Sequence, residues 1–279
     1  MRNIDAGEIS AAVKRLFIKA NRELPQDLRD RIRLCRDKEN WQPAKETLER
    51  IISNFELAEK KQIPICQDTG MACVFLEIGG DLHINGDITE AVNEGVGQAC
   101  REGYLRASVV ADPIRRTNTG NNTPAVLYID MVKGESLKVT VAPKGFGSEN
   151  MSRIKMLTPS AGLEGLKEFV ISAVEQAGPN PCPPMVVGVG IGGTFDRAAL
   201  LAKKALIRPL EQHNPDPFYS DLEAELLEKV NALGIGPQGF GGLTTALALA
   251  IEVMPTHIAA MPCAVNINCH VSRHAQEEL

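Results

Sequence analysis

The sequence predicts a mixed α/β (α+β) fold: an N-terminal helical segment over residues 1–60, then a mixed-sheet core flanked by helices over 61–279, together one domain. Three observations carry this. Apolar residues near the N-terminus recur at helical spacing. Beyond Pro64, short β-rich stretches punctuated by glycine alternate irregularly with amphipathic ones, as expected of a sheet covered by helices. No linker or internal repeat divides the 279 residues. Aromatic residues make up only 4% of the chain, so the core has to be aliphatic.

The elements follow in order. Ile9, Val13, Leu16, Phe17 and Ala20 share one helical face, with Asp5 and Glu8 spaced as a capping pair. Pro43 opens a second helical pattern through Leu48, Ile51, Ile52 and Phe55. Residues 64–80 read as short strand and turns, and 88–104 as helix. Residues 125–132 and 136–141 read as strands joined by Lys133-Gly134-Glu135, a hairpin. Residues 162–177 form an amphipathic helix. A buried strand at 185–189 runs into a glycine run from Gly188 to Gly193. Helices are expected at 196–210 and 221–233. Apolar strands are expected at 247–253 and 259–268, although the first would also suit a buried helix.

Charge and composition exclude several function classes. The net charge is −5 with no basic stripe, which argues against a nucleic-acid partner. No apolar run is long enough for a bilayer. The start, Met1-Arg2-Asn3-Ile4-Asp5, turns polar at once and lacks a signal-peptide core, so the expected location is cytoplasmic. In a reducing compartment the seven cysteines read as thiols or metal ligands.

Three loops carry cysteine in unusual settings. Cys66 sits in Pro64-Ile65-Cys66-Gln67-Asp68-Thr69-Gly70, where two hydrogen-bonding side chains adjoin the thiol. Its bland reading is a buried cysteine at a strand end. Cys182 is flanked by Pro181, Pro183 and Pro184, which stiffen the loop; the bland reading is a plain turn. Cys263 and Cys269 compete for a third position. Cys269 ends an alternating strand at a loop edge, whereas Cys263 follows Pro262 and suits packing. Cys35, Cys73 and Cys100 lie in helical or apolar patterns and read as structural. Single cysteines from three separate loops suit a cluster held by three thiolates, with one iron left open. A zinc site formed with His257, as Cys3His, is the rival metal reading. A redox-sensing or assembly subunit that never turns over is a third.

Between these loops lie groups suited to a carboxylate ligand. Arg106 stands just past a helix, in Tyr104-Leu105-Arg106-Ala107-Ser108. Residues 118–124 form a polar turn. Lys144-Gly145-Phe146-Gly147-Ser148-Glu149-Asn150 is a glycine-rich loop whose N–H groups suit an anion; the ending of a phosphate loop is missing. The glycines at 188, 190 and 193 fit the spacing of a dinucleotide fingerprint, a rival reading of that run.

Taken together and in order, C-Q-D-T-G at 66–70, Y-L-R-A-S at 104–108, N-T-G-N-N-T-P-A at 118–125 and K-G-F-G-S-E-N at 144–150 resemble one family. N-P-C-P-P at 180–184, G-V-G-I-G-G-T-F-D at 188–196, G-I-G-P-Q-G-F-G-G at 234–242 and the terminal N-I-N-C-H-V-S-R-H extend the likeness. It is that of the α subunit, or N-terminal catalytic domain, of class I fumarate hydratases and the related L(+)-tartrate dehydratases. The resemblance implies a [4Fe–4S] cluster on Cys66, Cys182 and Cys269, whose open iron acts as Lewis acid. It implies Asp68 and His257 as catalytic residues, and Gln67, Arg106 and Gly147 as residues on the substrate side. Reversible hydration of fumarate to L-malate is the activity implied, with tartrate dehydration as the alternative. The larger members continue into a second domain bearing further cations. This chain ends shortly after Cys269, so a separate β subunit is expected, in an assembly such as a dimer of heterodimers.

Overall fold

The computed structural model describes residues 2–279. Along the chain the elements run β1 (Arg2–Asp5), α1 (Ala6–Arg22), α2 (Gln26–Lys38), α3 (Gln42–Lys61), β2 (Met71–Gly79), β3 (Leu82–Asn85), α4 (Ile88–Glu102), β4 (Val126–Val132), β5 (Leu137–Lys144), α5 (Phe146–Glu149), β6 (Arg153–Leu157), α6 (Gly162–Ala177), β7 (Met185–Gly193), α7 (Phe195–Ala205), α8 (Pro217–Ala232), β8 (Ala246–Thr256), β9 (Met261–Asn268) and β10 (Ala275–Glu278). The fold is mixed α/β, as expected. It divides into two compact units. The first takes the chain through Pro25, Asn54–Phe146 and Arg273–Leu279; the second takes Gln26–Ser53 and Gly147–Ser272. Among the described residues no helix is long and apolar enough to cross a membrane.

The first unit is a four-stranded sheet in the order β10-β5-β2-β4, with β1 and β3 paired beside it. The capping pair forms as expected: the Asp5 N–H donates to Glu8 Oε1 at 3.1 Å. The predicted face of α1 (Ile9, Val13, Leu16, Phe17, Ala20) is buried, and packs with Val92 and Val96 of α4 against Val74, Leu76, Val139 and Val141 of the sheet. Burying each such side chain contributes about 1.5–3 kcal/mol relative to exposure.

The expected hairpin is not formed. Residues 126–132 and 137–144 are strands, but β2 lies between them, antiparallel to β5 and parallel to β4. β2 buries Ala72 to Leu76 without alternation, so it belongs on both sides of a pairing and takes the centre. The 133–136 connection crosses its end instead. There the Gly79 N–H donates to Ser136 O at 2.8 Å and the Asp81 N–H to Gly134 O at 2.9 Å. A Cβ on Gly79 would stand 2.3 Å from the Gly134 carbonyl oxygen, so the crossing requires glycine.

The second unit is a four-stranded sheet in the order β6-β9-β7-β8 between two helical layers. On one face Val170 and Val174 of α6, and Leu226 and Val230 of α8, pack with Met185, Val187, Val189, Val265 and Ile267. On the other lies α7, whose Ala198 and Ala202 pack with Ala264 of β9. The glycine run belongs to this contact. A Cβ at Gly188 would meet the Ala202 carbonyl oxygen at 2.1 Å, and one at Gly190 the Ala198 carbonyl oxygen at 2.1 Å. These glycines therefore sit inside β7, where helix backbone passes over strand backbone, rather than in a phosphate-binding turn. The ambiguous segment 247–253 is a strand, β8, running parallel to β7.

Candidate functional site

In the first unit β2 and β4 begin, and β5 ends, at the same edge of the sheet. That places residues 64–70, 104–125 and 145–146 together. Asp68 is their meeting point. Its Oδ1 accepts the Gly70 N–H at 2.9 Å and its Oδ2 accepts the Phe146 N–H at 3.0 Å. A carboxylate has about four lone-pair sites, so two remain for a ligand. The chain can approach this closely because of two glycines. Gly70 has φ +74, and a Cβ there would lie 2.4 Å from the Lys144 carbonyl oxygen; a Cβ on Gly145 would lie 3.2 Å from Asp68 Oδ2.

Two buried side chains fix the neighbouring loops. Thr69, 2% exposed, accepts the Arg106 N–H on Oγ1 at 2.9 Å. Asn122, fully buried, accepts the Ser108 N–H at 2.8 Å and donates to Gly70 O at 3.0 Å. The backbone of Arg106 is thus held beside the Asp68 turn, while its side chain is exposed and has no hydrogen-bond or ion-pair partner among the described residues. Gln67 is exposed, with Oε1 3.4 Å from Cys66 Sγ. Lys144 is 5% exposed and its Nζ reaches Gly145 O at 3.4 Å. The fold brings Cys66, Gln67, Asp68 and Arg106 into one neighbourhood of this unit.

Cys182, Cys269 and Gly147 belong to the second unit. Cys182 precedes β7 and Cys269 follows β9; Val186 and Asn268 are paired in the sheet, so the two cysteines share its lower edge. His270 joins their loops directly. Its N–H donates to Cys182 O at 3.3 Å, and its Nδ1 lies 2.9 Å from the same oxygen. Gln238 adds a second tie, donating through both its backbone N–H and Nε2 to Pro183 O at 2.8 Å. Cys182 and Gln238 both have φ +54, uncommon for residues with a side chain and of the kind that collects at functional sites. Gly147 lies exposed in the short helix α5.

His257 stands apart from these cysteines. It lies in the exposed turn between β8 and β9, and its Nδ1 accepts the Ala259 N–H at 3.2 Å. Because β9 runs from Met261 to Asn268, its whole length, about 25 Å at a rise of ~3.3 Å per residue, separates that turn from Cys269. A single ion cannot bind both, which removes the Cys3His alternative. Among the described residues no three His, Cys, Asp or Glu side chains are grouped as the ligands of one metal ion would be.

Two of the three expected cluster thiols accept a backbone N–H. Cys66 Sγ accepts the Asp68 N–H and Cys269 Sγ the Val271 N–H, each at 3.4 Å. Donors aimed at sulfur are what a cluster thiolate uses to spread its charge. The other cysteines behave as packing groups. Cys263 is fully buried in β9, which pushes its thiol up to about 12. Burial also raises the thiols of Cys35 and Cys100. Asn122, Gln238, His270 and Arg273 were not singled out by the sequence reading. All four stand in its quoted motifs, but their partners are loops remote in sequence.

The sequence profile of the family described as fumarate hydratase (Fumerase) matches residues 10–278 of the chain. Among curated proteins, the chain is 44% identical over 274 residues to a Methanocaldococcus jannaschii protein provisionally named L(+)-tartrate dehydratase subunit alpha, covering 96% of each. It is 32% identical over 254 residues to the L(+)-tartrate dehydratase subunit alpha of Escherichia coli K12, covering 90% of this chain and 84% of that one. The same figures relate it to the subunit of that name in Shigella sonnei.

The cysteine environments allow a direct test. In folded protein stripped of metal at pH 8, a neutral alkylating reagent is expected to label exposed Cys182 first and to spare Cys263. With its thiol at about 12, roughly one Cys263 in ten thousand would be thiolate at that pH. Peptide mass spectrometry reads the order; equal labelling of the two would contradict the burial of Cys263.

Proposed function

The chain belongs to the fumarate hydratase family, and on that premise we propose that it is the alpha-type subunit of an iron–sulfur hydro-lyase that reversibly hydrates fumarate to L-malate. The observation that carries this reading is the Asp68 carboxylate, fixed by two backbone N–H groups, two residues from Cys66 and beside the exposed Arg106. Cys66, Cys182 and Cys269 would hold the [4Fe–4S] cluster, which when bound supplies a Lewis-acid iron with an open coordination position.

The protein groups have distinct tasks. Hydration adds hydroxyl to one alkene carbon and a proton to its neighbour. Arg106 would fork onto one substrate carboxylate, and the Gln67 amide and Gly147 backbone would fix its orientation. Asp68, immobile and with lone pairs to spare, would handle the proton of the water or hydroxyl. His257 would serve the second proton. Since the length of β9 separates it from Cys269, it would do so at the site of another copy of the chain, which would suit a dimer of heterodimers. The tartrate reading, giving oxaloacetate, is favoured by the names of the relatives above; it would use the same groups.

A dianionic substrate needs several fixed cations, because burying unpaired carboxylates is costly. Arg106 is exposed and available, whereas Lys144 is buried. A β subunit would supply the remainder and exclude water. The relatives' designation as alpha subunits supports this.

Three outcomes are expected. With its cluster restored anaerobically, the chain alone should neither form malate from fumarate nor oxaloacetate from L(+)-tartrate, and adding the β subunit should restore one of the two activities. Turnover by the chain alone would overturn the half-site reading; activity with tartrate alone would select the second substrate. Arg106→Lys should lose about tenfold or more in kcat/KM despite keeping its charge, since a charged hydrogen bond contributes about 1.5–3 kcal/mol and lysine lacks the planar fork. Unchanged kinetics would remove Arg106 from the site. Finally, Asp68→Asn and His257→Ala enzymes, each inactive, should on subunit mixing recover about a quarter of wild-type activity, because one intact site forms per mixed dimer. No recovery would rule out a histidine supplied by a second copy.

A further inference from the structure

Arg273 holds the turn on which the proposed chemistry depends. It is only 4% exposed, and its Nη2 donates to the backbone carbonyls of both Asp68 and Thr69, the latter at 3.2 Å. The partners lie 205 and 204 residues away in sequence, so nothing local to the Cys66–Gly70 loop makes these contacts. Taking a guanidinium out of water is costly, and a neutral donor can secure a carbonyl more cheaply. The same turn shows this: Asn122 secures Gly70 O with an amide.

We infer that Arg273 is a positioning residue for Asp68. Fixing the carbonyls of residues 68 and 69 fixes the two peptide planes that follow Asp68 and Thr69. Those planes set where the Asp68 carboxylate meets the Gly70 and Phe146 N–H groups, and where Thr69 Oγ1 meets the Arg106 N–H. One buried cation thereby orients Asp68 and Arg106 together. Arg273 enters from the start of β10, whose Ala275 pairs with Val141 of β5, the strand that also delivers Phe146. Both sides of the Asp68 carboxylate are therefore referred to β5. The inference rests on the assignment of Asp68 and Arg106 to the site.

The test combines two readouts on Arg273→Gln and Arg273→Lys. Because a single nitrogen makes both bonds, the lysine ammonium can replace it, whereas the shorter glutamine cannot span both carbonyls. In the free chain, hydrogen exchange at the Gly70 and Phe146 amides should quicken at least about tenfold in Arg273→Gln, with Val74 and Val139 unchanged. In the enzyme assembled with its β subunit, kcat should fall about tenfold or more with KM within about threefold, and Arg273→Lys should recover most of both losses. Unchanged exchange at Gly70 and Phe146 would overturn the inference. So would equal loosening of Val74 and Val139, since Arg273 would then support the sheet as a whole. Faster exchange at the two amides with undiminished kcat would uphold the clamp and overturn the catalytic assignment of Asp68.

Discussion

Two N–H groups on the Asp68 carboxylate, one from its own turn and one from 78 residues away, organise the loop end of the first unit. Hydrogen bonds to a charged acceptor contribute about 1.5–3 kcal/mol each, more than their neutral counterparts. To make the distant bond, the end of β5 must press against Gly70 so closely that no side chain fits there. The remaining contacts are secondary to that approach. Thr69 and Asn122 tie in the residues around Arg106 and Ser108, and the thiol of Cys66 receives the Asp68 N–H as a by-product of the turn. A turn of five residues thus sets the position of an acid, a thiol and, through backbone alone, an arginine.

Much of this was legible in the sequence. Helices with a strong 3.6-residue period, such as α1 and α6, appear where the apolar spacing puts them, and the Asp5–Glu8 capping pair forms. The short strands β1, β3, β6 and β10 were not foreseen. They have four or five residues each, and their apolar pattern is too brief to register a period. The hairpin between β4 and β5 failed for a different reason. Adjacency in sequence favours pairing of neighbours, but a strand with a continuous buried run competes for the central place, and β2, buried from Ala72 to Leu76, took it.

Spacing in the sequence named candidate residues but not their arrangement. Cys269 and His257 are close in sequence, which invites their placement in one cavity. A β-strand is an extended rod, so the few residues of β9 carry the chain across the whole sheet. Arg273 illustrates the converse: its role consists of contacts to carbonyls, which leave no trace in side-chain spacing. The glycine run of β7 misleads in a third way, since close backbone approach is needed equally by a bound phosphate and by a crossing helix.

That crossing has a mechanical consequence. Where side chains separate two elements, small shifts are absorbed by changes of rotamer; where α7 rests on Gly188 and Gly190, carbonyl oxygens face bare strand and no such cushion exists. β7 is further held between β8 and β9 on its two edges. It has no freedom to slide along its axis without dragging a helix with it. The loop bearing Cys182 springs from the first residues of this strand. Its anchorage is therefore stiff for want of atoms, a rigidity that no added bond supplies and that any enlarged side chain would remove.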